Sequence, residues 1–389
     1  MAREIDFVDE CYADKDLSLL KKLTLVIPTY NRNYYLSRCL WYHAHFPFGQ
    51  IIVADSSPEE KKVVNRKTVA KIRRRFGVGI LYLEYEPETE RYGGDIYRKW
   101  GDAVMHADSE YSVFCTDREF IIPTLLNQSL DYLTQHPEYI CASGNRGDVM
   151  VKKSEYGIVQ PFSMNSYEDD EPLKRIIDFS NRRRIIENLF SIYPSSVHKK
   201  MFENLIKYHI CDIRYGEIAL ELQPIIIGKI KRFNDVQRFR DQTQKCTGTL
   251  NTVNKSDSSS SRHPRVPSYP DSLRSRLQEN LAQCLGNLLT DNSNKTKFNK
   301  IDAISRNIVE WWMCGVSLSD NKHLGFLWDA IPNSLKYLLS KCIGKGLYCE
   351  TRITDINNPY YSSILKIISD TSEKYTMDSV ISQINSESF

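Results

Sequence analysis

LTLVIPTYNR, residues 23–32, starts as a strand-length apolar run and ends past Pro28 in a hydroxyl, an aromatic ring, an amide and a guanidinium. An unbroken apolar run of that length suits a parallel strand whose two faces are both covered. Four similar runs follow: QIIVADSS (50–57), GILYLEY (79–85), EYSVFCTD (110–117) and EYICASGN (138–145). Each precedes a stretch long enough for a crossover helix, so the expected class is α/β, a mostly parallel sheet with flanking helices. Ligands of such sheets sit outside the carboxyl ends of the strands, which singles out Thr29, Asp55 and Asp117 at the ends of their runs. The exit VIPTYNR reads either as a turn shaped by Pro28 and Asn31 or as a flat ring and fixed donors for a base and a diphosphate.

Between 170 and 234 the pattern is mixed. EPLKRIIDFSNRRRIIENLF reads as helix, a Pro-Ser-Ser break stands at 194–196, and a second helical stretch runs to about 226 before a short IGKIKRF strand. Residues 241–270 are rich in Ser, Thr, Asn and Pro and read as a linker or long loop, with a domain spanning 1–240 before it. Apolar spacings of three and four after it predict a helical domain over 271–389. Its aromatics Trp311, Trp312, Phe326, Trp328 and Tyr337, with Lys341 nearby, are expected to fill a core. A homo-oligomer contact or a peripheral membrane contact is the sharper reading of the same side chains.

The 389 residues are 41% hydrophobic and 26% charged, which fits neither a disordered chain nor a multi-span membrane protein. Fifty-two Lys and Arg against 49 Asp and Glu leave +3, too weak a field for a chain built to hold nucleic acid. No signal-like apolar core opens the sequence, so a cytoplasmic location with mostly free thiols is expected. No two of the ten cysteines have the CxxC spacing of a zinc ribbon. Cys39, His43 and His45 have a loosely metal-like spacing, but a helix does not put positions 43 and 45 on one face, so packing and surface roles are expected. The basic run 61–75 and Arg182 to Arg184 read as solvated helix faces, and ERYGGDIYRKW lacks the phosphate-loop arrangement.

VIPTYNR resembles the opening motif of family 2 glycosyltransferases, and IIVADSS is similar to the strand that carries an Asp to the nucleotide in that family. GGDIYRKWGDAVMHADSEYSVFCTDREFI resembles the helix and strand leading into its acidic metal motif. The resemblance covers about residues 23–240. It implies a GT-A-like nucleotide-binding mixed sheet and transfer of a sugar, with inversion, from a nucleotide-diphosphate-sugar to a hydroxyl of a glycan or glycolipid acceptor. Pro28, Thr29, Tyr30, Arg32, Asp55 and Asp117 then map onto the donor site, and Asp117 with Glu119 onto a Mn2+ or Mg2+ site.

Here the family's run of aspartates reads Asp117-Arg118-Glu119, so Arg118 either points away or neutralises phosphate itself. In HICDIRYGEIALELQP the resemblance expects an acid facing the acceptor. Glu217 is preferred over Asp212 as the base that takes the acceptor proton, and either acid could instead serve the helix N-terminus. Arg238 and Arg240 in VQRFRDQ, expected on a loop just after the last strand, would screen the leaving diphosphate or simply be solvated. The rival functions are a non-catalytic binding or scaffolding protein with the same fold and, less well matched, a sugar-nucleotide pyrophosphorylase, whose glycine-rich start is missing.

Overall fold

Four of the five expected strands form one sheet. The structure, a computed structural model, describes residues 8, 11–87, 96–152, 155–160, 165–182, 188–210, 212–242, 271–288, 299, 302–306, 351–352 and 364. β1 (Leu23–Thr29) lies between β2 (Gln50–Asp55) and β4 (Tyr111–Phe114), and β3 (Ile80–Glu84) pairs outside β2, all in parallel. The two-residue β8 (Tyr193–Pro194) closes the far edge antiparallel to β4. The intervening segments supply α1 (Asn33–His43), α2 (Glu59–Phe76) and α3 (Ile96–Met105).

All seven residues of β1 are buried because helices cover both sides of it. Strand side chains alternate between the faces, so one strand feeds two cores. Leu23, Leu25, Ile27, Ile51, Val53 and Val113 pack with Leu36 and Leu40 of α1 and Val69 and Ile72 of α2. Val26, Ile52, Ala54 and Phe114 pack instead with Ala103 and Val104 of α3 and with Met201 and Phe202 of α6 (Ser195–Lys207).

The fifth expected strand leaves this sheet. β6 (Tyr139–Lys152) is the centre of a second one, ordered β10 (Thr351–Arg352), β7 (Glu155–Gln160), β6, β9 (Lys229–Asp241) and β5 (Glu119–Ile121). Past Ala142 its sequence turns polar, SGNRGD, which a doubly covered parallel strand cannot carry. VQRFRDQ departs from expectation as well. Arg238 and Arg240 lie inside β9, a strand of 13 residues, because β5 and β6 pair with it on both sides through Phe239 and Arg240.

α4 (Pro123–Gln135) begins with Pro at its first turn, where a missing N–H is harmless. α5 (Pro172–Arg182) and α7 (Ile213–Ile227) complete the helices up to residue 242. In the C-terminal stretch expected to be helical, α8 (Asp271–Gly286) is a helix, and its Leu277, Leu281, Cys284 and Leu285 enter the same core as Ile218 and Leu222 of α7. Thr351 and Arg352 form an edge strand on β7 rather than helix. The segment 243–270, the stretch around Gly93 and Gly94, Arg183 and Arg184, and the aromatics from Trp311 to Tyr337 with Lys341 lie outside the described residues. Among the described residues no helix is long and apolar enough to cross a membrane.

Candidate functional site at the strand switch point

The order β3-β2-β1-β4 reverses direction at β1, so the crevice between the ends of β1 and β4 is the switch point where open α/β sheets take ligands. Three expected site residues meet there. Thr29 Oγ1 donates to Asp117 Oδ2 at 2.8 Å, and the Arg32 guanidinium pairs with Oδ1 at 3.2 Å. Asp117 is buried, which pushes its carboxyl up, while Arg32 and the Thr29 hydroxyl pull it down. The Arg32 side chain is 27% exposed and forms the outer wall of the pair. Asn31 gives the exit its direction: its φ of 54° is left-handed, which Asn tolerates, and its N–H donates to Ser57 Oγ at 2.8 Å. Pro28 is buried within β1, and Tyr30 is half-buried beside the mouth.

Asp55 is placed otherwise than its sequence position implied. It is fully buried, and its carboxylate accepts from the Ser57 N–H at 2.8 Å, from Asn65 Nδ2 at 2.7 Å and from the Tyr82 hydroxyl. It therefore shapes the loop after β2 and offers a base no open oxygen. Lys99, absent from the sequence candidates, brings a cation to the same floor. It is 2% exposed, and its Nζ donates to Ser56 Oγ at 2.8 Å and to the Thr29 carbonyl at 3.4 Å. A signal was available: Lys99 falls among the buried positions Tyr97, Gly101, Ala103 and Val104 of α3, and a buried cation implies polar surroundings.

The Asp-Arg-Glu run is a seam between the two sheets. Arg118 donates to the Asp241 carbonyl and stacks over Tyr35 at 5.1 Å, and its charge also helps to pull the Asp117 carboxyl down. Glu119 opens β5 and is 1% exposed. Its Oε2 accepts the Thr116 N–H at 2.8 Å, and its Oε1 pairs with Arg238 at 3.0 Å beneath the Phe190 ring. Arg240 stands in register with Glu119 on one side and Asp148 on the other, and Asp148 pairs with Arg146 at 2.9 Å. A hard cation needs carboxylate oxygens with an open face. As placed, Arg32 covers Asp117 and Arg238 holds Glu119, so these residues do not form an open pair for Mn2+ or Mg2+.

The two acids proposed as base also separate. Asp212 Oδ1 accepts the Tyr215 N–H at 3.1 Å, the geometry of an N-cap, so Asp212 starts α7. Glu217 is exposed. Its neighbour Gly216 receives the Tyr97 ring so closely that a Cβ there would stand 2.1 Å from the ring, and the Tyr97 hydroxyl donates to the Ile213 carbonyl. This contact docks the start of α7 on the start of α3, the helix that carries Lys99 to the switch point.

No protein-family model matches the chain, and no curated protein matches it in sequence. Among solved structures it is similar to S. aureus TarS 1-349, with 11% identity, 91% of this chain and 92% of that one covered, and a TM-score of 0.48. The same TarS fragment in complex with UDP-GlcNAc gives 11% identity, 91% and 93% coverage and 0.47. Mannosyltransferase PcManGT from Pyrobaculum calidifontis, in complex with GDP-Man and Mn2+, is similar at 12% identity, with 96% and 99% covered and a TM-score of 0.39. At such identities the functional reading rests on this chain's own residues.

Proposed function

We propose that the chain is a glycosyltransferase that moves a sugar from a nucleotide-diphosphate-sugar to a hydroxyl of a glycan or glycolipid acceptor. The observation that carries this is the meeting of Thr29, Arg32 and Asp117 at the switch point, over a floor that holds Lys99. Asp117 accepts a hydroxyl of the donor's ribose or sugar. Arg32 swings from Asp117 to the diphosphate, where a guanidinium matches two oxygens at once. Glu217, exposed at the start of α7, takes the proton of the acceptor hydroxyl as it attacks in line with the leaving diphosphate, which inverts the sugar carbon. A divalent ion would screen the diphosphate charge; in the arrangement described, the chain's own cations are the groups at hand for that screening.

The test is a thermal-shift screen of the full chain with uridine, guanosine, thymidine and cytidine sugar nucleotides, with Mn2+ and with chelator. A donor at 100 times its dissociation constant adds about 2.7 kcal/mol to stability. One base class is expected to raise the melting temperature, and Asp117→Asn is expected to abolish the rise. No rise with any of the four, or a full rise in the variant, overturns the reading. Donor binding without hydrolysis or transfer would point to the scaffolding alternative.

A further inference from the structure

Behind the Asp117 turn the fold gathers three side chains that the proposed mechanism does not use. Cys39 and His43 stand one helical turn apart on α1, and Cys115 comes from the end of β4, two residues before Asp117. All three are fully buried, and one ligand atom from each lies within 4.8 Å of the other two. His45, grouped with them by sequence spacing, is elsewhere: its ring packs on Phe76.

The hydrogen bonds set the imidazole tautomer. His43 Nδ1 is 2.8 Å from the Cys39 carbonyl, which can only accept, so Nδ1 carries the proton. Nε2 then accepts the Ile121 N–H at 3.3 Å and lies 3.9 Å from Cys115 Sγ, while Cys39 Sγ stands 3.5 Å from Nδ1. A histidine whose other nitrogen donates to a backbone carbonyl is in the form that metal-binding histidines adopt. A fourth donor faces the same point: the Thr116 carbonyl is 3.5 Å from Cys115 Sγ and 3.8 Å from Cys39 Sγ. Bonds of about 2.3 Å to sulfur and 2.0–2.2 Å to nitrogen and oxygen, placed tetrahedrally, require donor separations of roughly 3.5–3.8 Å.

We propose that Cys39, Cys115, His43 Nε2 and the Thr116 carbonyl form a buried site for a thiophilic divalent cation of the Zn2+ class, separate from any ion at the donor diphosphate. Two thiolates and one divalent ion sum to zero charge, the only sum an apolar interior holds cheaply. Binding forms two metal–sulfur bonds, and the protons that the two sulfurs still hold, that of Cys115 foremost, go to the buffer. Hard Mn2+ or Mg2+ prefers oxygen and does not compete for these sulfurs. The ion takes the Nε2 lone pair from the Ile121 N–H, draws Cys39 Sγ across from the Nδ1 side of the ring, and ties α1 to the Thr116–Asp117 turn.

The full chain, reduced and stripped with chelator, is titrated with Zn2+ and, as a coloured probe, Co2+. One equivalent is expected to bind, with proton release, a higher melting temperature and a sulfur-to-cobalt charge-transfer band that tenfold Mn2+ leaves in place. Cys39→Ser and Cys115→Ser should each remove the band, while Cys284→Ser, in the α8 core, retains it. X-ray absorption on the zinc-loaded wild type should show two sulfurs at about 2.3 Å, and it decides the matter even if a serine variant fails to fold. A shell of oxygen and nitrogen alone, no bound equivalent, or a band that survives Cys39→Ser overturns the proposal. None of these readouts depends on sugar transfer.

Discussion

Asp117 and Glu119 are two residues apart, each is 1% exposed and each pairs with an arginine, yet they belong to different kinds of place. Asp117 ends the first sheet at its switch point, and its partner Arg32 remains 27% exposed, so the pair can open toward a ligand. Glu119 begins the second sheet, and its partner Arg238 is 6% exposed under Phe190, so that pair is sealed. The same chemistry is thus left accessible on one side of a turn and locked into architecture on the other. Variants on the open side should change function with little loss of stability, and variants on the sealed side should do the reverse.

The largest effect is expected on the open side. Glu217→Gln keeps the shape of the side chain and cannot accept a proton, so kcat should fall by about 10²–10⁴ with donor affinity and melting temperature kept. An unchanged kcat removes the base from α7, since Asp212 is already committed to the helix cap. Next comes the contrast between the neighbouring acids. Glu119→Ala leaves Arg238 buried without its carboxylate, which should cost about 3–5 kcal/mol in denaturant unfolding. Asp117→Asn should cost far less and lose the donor-induced thermal shift. Equal stability losses in the two variants would erase the distinction between open and sealed.

The sealed interior also has a pH signature. Burial holds the Glu221 carboxyl up at about 8, against the pull of the Asn188 N–H and Arg232. Burial among Phe114, Tyr193 and Phe202 holds His198 down at about 3. Between the ordinary carboxyl value and 6.5, native Glu221 holds a proton that the unfolded chain lacks, and unfolded His198 gains one that the native chain lacks. The two slopes therefore cancel. From about 6.5 to 8 Glu221 makes stability fall as pH rises, by about 1.4 kcal/mol per unit at most, because the folded state binds its proton. Cys39, whose thiol, against its burial, Cys115 and His43 pull down to about 6, acts the other way in the same window. Across that window the wild type should lose stability relative to Glu221→Gln, since the two chains share the Cys39 contribution and differ only in the Glu221 proton. Parallel pH profiles in the two chains would mean that Glu221 is ionised in the fold.

How legible these regions were in the sequence follows from how local their causes are. LTLVIPT reads as a buried strand because two covered faces demand an unbroken apolar run, and Thr29 and Asp117 stand out because strand ends are where such sheets bind. Arg238 was misplaced because VQRFRDQ has only two apolar residues, Val236 and Phe239, three positions apart, which lacks the alternation of a strand; the pairing with β5 and β6 on its two sides is what makes it one. Lys99 and Cys115 gain their meaning from Thr29 and Cys39, 70 and 76 positions away, and spacing along the chain cannot reveal such partners. Asp55 shows the converse: its place at a strand end was right, and Asn65, Tyr82 and the Ser57 amide had already claimed its oxygens.

The smallest expected effect sharpens the comparison most. In the wild type, Arg32 and any divalent ion compete for the same Asp117 oxygen, because the guanidinium stands 3.2 Å from Oδ1. Arg32→Gln removes the competitor together with a cation for the diphosphate. Donor affinity measured in chelator should then fall only about two- to fivefold, the scale of a partly exposed ion pair. Mn2+ should restore a larger fraction of affinity in the variant than it adds in the wild type, because the uncovered carboxylate becomes a ligand. Titrating the donor with and without Mn2+ in both chains decides between the two sites. If Mn2+ multiplies both affinities by the same factor, the ion acts on the diphosphate alone, and the arginine over Asp117 is a lock on the turn rather than a stand-in for metal.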